Sequence, residues 1–203
     1  MQLASVCTIS TGYTARGRLE PTQSGGVLII QLRDISANGD IAADRLTRVA
    51  IDGALDRYLV RAGDVVFRSR GDRNTASVLD DRFSEPVLAV LPLMILRPKI
   101  HVITPQYLAW AINQAPAQRY FDSIACGTNM RMLPKAGLEA LEIEVPVIEA
   151  QRNIVEIHAL AELEQRLAIL SAEKRKTLTT LILNSQAKDL TVAVATGRKK
   201  NDR

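Results

Sequence analysis

The chain has 203 residues, 47% of them hydrophobic and 24% charged, with a formal net charge of +4. These values describe an ordinary globular polypeptide, not a disordered or membrane class. The longest apolar run, Val87 to Leu96, contains Pro92 and reaches only about half of the roughly 20 residues that a membrane-spanning helix needs, so no membrane association is expected.

The opening residues, Met1 to Ser10, lack the basic and apolar regions of a secretory signal. Cys7 and Cys126 form no CxxC pair, and two cysteines do not make a disulfide scaffold. A cytoplasmic protein with free thiols is expected. All eight prolines, and all the glycines but Gly197, lie before residue 150. The chain should therefore have a turn-rich body over residues 1–148 and a nearly breaker-free remainder.

In chain order, Val27 to Leu32 predicts a buried strand that leaves the Ser24-Gly25-Gly26 turn. Ala62-Gly63-Asp64 is a turn launching a strand at Val65-Val66-Phe67, which Ser69-Arg70-Gly71-Asp72 ends. Val87 to Leu96 predicts one more strand, bent at Pro92. Thr104-Pro105 opens the body's one clear helix, with Thr104 as N-cap and Pro105 at the first helical position. Its core positions are Leu108, Ala111 and Ile112. Leu138, Leu141, Ile143 and Val145 predict a last strand, stopped by Pro146. The fold class expected is mixed α/β (α+β), a twisted mixed sheet followed by one long C-terminal coiled-coil helix.

That helix is expected over residues 149–186, a length of about 57 Å at 1.5 Å per residue. Leu160, Leu163, Leu167 and Leu170 alternate at spacings of three and four, as a and d positions of two heptads do, and Leu181 resumes the seam. A compact body of this size is only about 30–40 Å across. No second helix of comparable length is expected in the chain. The stripe therefore calls for a partner, either another copy or another protein. Residues 187–203, with Gly197-Arg198-Lys199-Lys200, are expected to form a basic, flexible tail.

The charge is unevenly placed. Residues 1–148 carry 16 basic groups against 15 acidic ones, and 14 of the basic groups are arginine. The remaining residues carry 10 against 7. Arginine's planar fork suits phosphates and guanine edges, although an arginine-rich composition alone would produce the same count.

No catalytic pattern emerges. His101 and His158 have no second ligand at a metal-binding spacing. No phosphate-binding GxxxxGK[ST] or GxGxxG loop is present. Nuclease and methyltransferase signatures are likewise missing. Asp80-Asp81 beside Arg82 reads as a solvated turn, and Cys126 has no histidine placed to activate it. A non-enzyme without cofactor or metal is expected.

Several segments together resemble one family. They are Ile9-Ser10-Thr11-Gly12-Tyr13-Thr14-Ala15-Arg16-Gly17, then Ile29 to Ile35 with Gly39-Asp40-Ile41, then Gly63-Asp64-Val65-Val66-Phe67-Arg68-Ser69-Arg70-Gly71. Thr104-Pro105-Gln106-Tyr107-Leu108, Cys126-Gly127-Thr128-Asn129-Met130 with Leu133, and Val145-Pro146 with Ile148-Glu149, Gln151 and Ile154 complete the set. In this order, and followed by the long helix, they resemble the specificity (S) subunits of type I restriction-modification systems. Val147 replaces a second proline and Ala150 a glutamate before Gln151. A full S subunit carries two target recognition domains and two long helices paired antiparallel, whereas this sequence holds one of each.

The resemblance implies a half-subunit. Two copies joined through Leu160, Leu163, Leu167, Leu170 and Leu181 would read a bipartite, palindromic site on double-stranded DNA. The homodimer would dock methyltransferase (M) subunits and, in a restriction complex, nuclease (R) subunits. The expected DNA contacts fall in three loops: Tyr13, Thr14, Arg16 and Arg18; Arg68, Ser69, Arg70, Arg73 and Asn74; Thr128, Asn129 and Arg131. Gly12 and Gly17 would let backbone approach phosphate. The competing reading is an adaptor that uses its coiled-coil helix to bind a protein and does not bind DNA.

Overall fold

The apolar runs of the body are short because they belong to eight short strands, arranged in two sheets among the described residues. A computed structural model describes the chain except residues 16, 23–24, 37, 52, 72, 126–131 and 199–203, and the side chains of 188–198. The first sheet has the order β1-β8-β5-β6, with β1 Cys7–Thr11, β5 Val65–Arg68, β6 Ala76–Val78 and β8 Leu93–Pro98. All of its pairs are antiparallel, with Ile9 opposite Leu96, Val65 opposite Leu96 and Phe67 opposite Ala76. The second sheet, β3-β2-β7-β4, contains β2 Val27–Ile30, β3 Thr47–Val49, β4 Leu59–Val60 and β7 Val87–Ala89. It is mixed, because β2 and β7 run parallel while the outer pairs are antiparallel.

Side-chain alternation along the first sheet assigns its two faces. Ile9, Val65, Phe67, Met94 and Leu96 join a cluster with the helices α1 (Leu3–Val6), α2 (Pro105–Asn113), α3 (Ala115–Ile124) and α4 (Lys135–Glu139). Val66, Leu93 and Ile95 point the other way, onto Ile30, Val60, Val87 and Ala89 of the second sheet. The body is thus a helical layer, an antiparallel sheet and a mixed sheet, stacked in that order. Strands covered on both faces read as continuous apolar runs, which explains Leu93 to Leu96. Phe67 and Phe121 meet at 5.4 Å between ring centroids. Each such fully buried side chain contributes about 1.5–3 kcal/mol.

Thr104 caps α2 as expected, accepting the Tyr107 N–H at 3.3 Å, and Pro105 stands at its first turn. Leu108, Ala111 and Ile112 are buried. At the other end of α2, Asn113 covers an open sheet edge. Its Oδ1 accepts the Ala76 N–H at 2.8 Å and its Nδ2 donates to the Ala76 carbonyl at 2.9 Å, as a neighbouring strand would.

Several elements differ from the sequence expectation. Val87 to Leu96 is two strands in different sheets, separated by a turn at Leu91-Pro92 whose peptide bond is cis. The strand from Val27 ends at Ile30, where Leu32–Asp34 forms a single 3-10 turn with the Asp34 carboxylate accepting the Gln31 N–H. Leu138 lies in α4, and Leu141 and Ile143 instead hold the N-terminus through bonds with Leu3 and Met1. Helix α3 was not expected at all.

The chain divides into two units, Met1–Val155 and Glu156–Arg203. The long helix α5 spans Ile148–Arg198, 51 residues or about 76 Å. It continues past Gln186, where the tail was expected to begin, because Ala187 to Thr196 contains neither glycine nor proline. Its first turn belongs to the body. Gln151 is fully buried, accepts the Thr104 N–H at 2.8 Å and donates to the carbonyls of Val102 and Pro146. In the second unit every described side chain up to Ala187 is exposed. The seam leucines range from 45% exposed at Leu163 to 61% at Leu181.

Candidate nucleic-acid interface

One turn, Val90 to Pro92, gathers the first two of the loops in which the sequence placed its candidate contacts. Leaving β1, the Gly12 N–H donates to the Leu93 carbonyl at 2.9 Å and the Tyr13 N–H to the Ala89 carbonyl at 2.7 Å. The Leu91 N–H returns a bond to the Tyr13 carbonyl at 3.0 Å. A Cβ at position 12 would lie 2.8 Å from the Ala89 oxygen and 2.9 Å from the Leu93 oxygen, so only glycine fits. Gly12 therefore serves close packing inside the protein, not an approach to phosphate. Gly17 has open space around it.

Beyond β5, the Ser69 N–H and hydroxyl both donate to the Pro92 carbonyl. The Ser69 carbonyl accepts the Leu133 N–H at 2.8 Å, and Arg70 forms an antiparallel bridge with Met132. The segment that follows the third candidate loop is thereby tied to the second. Gly71 turns the chain at φ +116°, a conformation that disfavours any side chain.

The candidates do not share one role. Ser69 and Asn74 are buried. Asn74 donates through Nδ2 to the Arg68 carbonyl at 2.8 Å, and its own carbonyl accepts Gln118 Nε2 at 2.8 Å. Both residues brace the loop from buried positions, and Asn74 also lines a cleft beside it. Arg68 is half-buried and donates through Nη1 to the Ser36 carbonyl at 3.0 Å, bracing the neighbouring loop. Tyr13 is half-buried, its ring edge-on to Tyr58 at 5.4 Å. Thr14, Arg18, Arg70 and Arg73 are exposed. Arg16, Thr128, Asn129 and Arg131 lie outside the described residues.

Arg33, Arg48, Arg82, Arg97 and Lys135 pair with Asp34, Glu85, Asp80, Asp64 and Glu139. Among the described residues, Arg18, Arg70 and Arg73 form no ion pair.

No protein-family model matches the sequence, and no curated protein is similar to it. Solved structures do match. The S subunit of a type I restriction-modification system from M. genitalium superposes with a TM-score of 0.55 at 15% identity, over 85% of this chain and 40% of that one. The HsdS subunit from Thermoanaerobacter tengcongensis gives 0.57 at 20% identity, over 84% and 38%. A chain from work on complex assembly and conformational transition of the type I R-M system gives 0.57 at 20% identity, over 87% and 40%. The chain has the fold of type I restriction-modification S subunits. It spans about 40% of the length of these structures.

Two exposed cations at the S-subunit-like body were missed in the sequence. Arg57 lies 4.5 Å above the Tyr58 ring, beside Tyr13. Arg119 stands on α3 and shares a cleft of about 340 Å³ with Arg73, Asn74, Asn113, Gln118 and Asp122. Pro116, at the start of α3, was the available signal for that helix. Nothing local in the sequence placed Arg119 beside the loop after β5. Among the described residues no group of histidine, cysteine, aspartate and glutamate is arranged to hold a metal ion, and no helix is long and apolar enough to cross a membrane.

Proposed function

We propose that this chain is a DNA-recognition half-subunit of a type I restriction-modification or methyltransferase complex, acting in the cytoplasm. The observation that carries the reading is the S-subunit fold together with its exposed loops, which converge on the Val90–Pro92 turn and carry unpaired arginines. Arg70 and Arg73 offer forked donors to base edges and phosphates there. Arg18, Thr14 and Tyr13 extend the same surface, and Arg16, Thr128, Asn129 and Arg131 belong to the same proposed interface. The chain directs chemistry that partner subunits perform.

The exposed leucines of α5 supply the second half of the proposal. Leu160, Leu163, Leu167, Leu170 and Leu181 leave apolar surface in water that a second copy of the helix can cover. A two-fold dimer presents two recognition bodies and reads a palindromic, bipartite site. That dimer docks methyltransferase subunits and, in a restriction complex, nuclease subunits.

The test is selection of binding sequences from random duplex DNA by the purified chain, followed by footprinting and light scattering. Two short inverted half-sites bound by a dimer are the expected result. A chain that self-associates but selects no sequence would overturn the DNA reading and favour the adaptor, for which the near-neutral charge of the body is the supporting observation.

A further inference from the structure

The cleft between the loop after β5 and helix α3 contains more guanidinium than its own structure uses. Arg73 and Arg119 reach it from separate elements, both side chains are exposed, and neither forms an ion pair among the described residues. Asp122 lies in the same lining, and two arginines against one aspartate leave it net positive.

Most of the amide donors around the cleft are engaged with backbone, four of six N–H groups on three side chains. Asn113 has both its oxygen and its nitrogen on the Ala76 backbone. Gln118 Nε2 donates to the carbonyls of Asn74 and Ile112, and Asn74 Nδ2 donates to the Arg68 carbonyl. These bonds also hold α3 against the loop, since Gln118 precedes Arg119 and Asn74 follows Arg73. Two cations are therefore carried on braced backbone, on a wall whose amides are mostly turned to backbone partners. Base edges are discriminated by matched donors and acceptors, whereas a phosphate needs only donors and positive charge. The cleft also lies at the end of the first sheet where Arg70 and Tyr13 emerge, because Asn74 and Thr75 lead directly into β6.

We propose that Arg73 and Arg119 grip the sugar–phosphate backbone of the bound duplex, setting its register against the loops, and do not read bases. This inference rests on the DNA reading above and assigns Arg73 within it.

The test is fluorescence anisotropy of the full chain on its selected duplex across a salt series, for the wild type, Arg73→Ala, Arg119→Ala and Arg119→Lys. Each alanine variant should flatten the slope of log affinity against log salt by about 0.9, the value for one phosphate contact on duplex DNA. Each should weaken all sequences by the same factor and leave the selected sequence unchanged. Arg119→Lys should recover most of the slope. Both arginines are exposed, so the variants should melt with the wild type. An unchanged slope in Arg119→Ala, or a changed base preference, overturns the inference while leaving the DNA reading intact. A wild type that binds no duplex overturns both.

Discussion

Replacing Gln151 by alanine tests how the long helix is rooted in the body. The amide is fully buried and holds three backbone groups: the Thr104 N–H at 2.8 Å, the Val102 carbonyl at 2.9 Å and the Pro146 carbonyl at 2.8 Å. Truncation removes all three bonds at once and opens a small cavity. A buried polar group left without a partner costs about 1–3 kcal/mol. Water entering the vacated space would satisfy some of the three, so the expected loss is about 2–4 kcal/mol. For a body of about 150 residues each kcal/mol moves Tm by about 2–4 °C, giving a fall of roughly 5–15 °C. Thermal and urea unfolding, followed by near-ultraviolet dichroism of Trp110, would report it. Gln151→Glu should be no better, since a carboxylate can accept from Thr104 but cannot donate to two carbonyls. An alanine variant within about 0.5 kcal/mol of the wild type, the usual effect of a surface change, would refute the view that this amide anchors the helix.

Three further outcomes are expected. Leu163→Asp or Leu167→Asp should abolish self-association without lowering the helical dichroism of the body, and a variant that still scatters light as a dimer would contradict the leucine seam. Arg70→Ala should weaken specific DNA binding by about 1–3 kcal/mol and relax preference at one base pair, as measured by competition among single-base variants of the site. An unchanged footprint and affinity would remove Arg70 from the base-reading set. Burial pushes the Cys7 thiol up to about 12, against a downward pull from Lys99, and its Sγ lies 3.3 Å from the Leu3 carbonyl. At pH 8 the thiol is therefore neutral, and Cys7 should resist a disulfide reagent until the fold is opened by denaturant. Rapid modification of Cys7 in the native protein, located by mass spectrometry, would contradict that burial.

The features legible in the sequence were those determined locally. Thr104-Pro105 announces a helix start because the cap and the fixed proline φ act within one turn, and the structure keeps both. The spacing of Leu160 to Leu170 announces an exposed helical stripe for the same reason. Pro92 was equally visible, but its consequence was not. The runs on either side of it are buried on both faces, so periodicity carries no sign that β7 and β8 belong to different sheets. Leu138, Leu141 and Ile143 share spacings that a strand and a short helix with an extended exit both satisfy. Ser69 and Asn74 had the right residue types in the right loop for DNA contacts. Their partners, Pro92 and Gln118, come from 23 and 44 residues away in sequence, and that distance hid their bracing role.

Charge gave the least guidance as a total and the most once the arginines were placed. A body with 16 basic and 15 acidic groups gives no reason to expect a polyanion partner. Of the five ion pairs, Arg97 with Asp64 and Arg82 with Asp80 lie at the opposite end of the first sheet from the convergent loops. Exposed pairs of this kind contribute little to stability, about 0–1 kcal/mol each. Each also cancels the local field of its cation. Arg70, Arg73 and Arg119 are left without such cancellation at one end of the fold. A near-neutral domain can thus keep unpaired arginines beside its loops, which has a further consequence on the proposed reading. Non-specific attraction to DNA scales with the total number of phosphates neutralised, so few but clustered cations keep it low while leaving the donors that a chosen site requires.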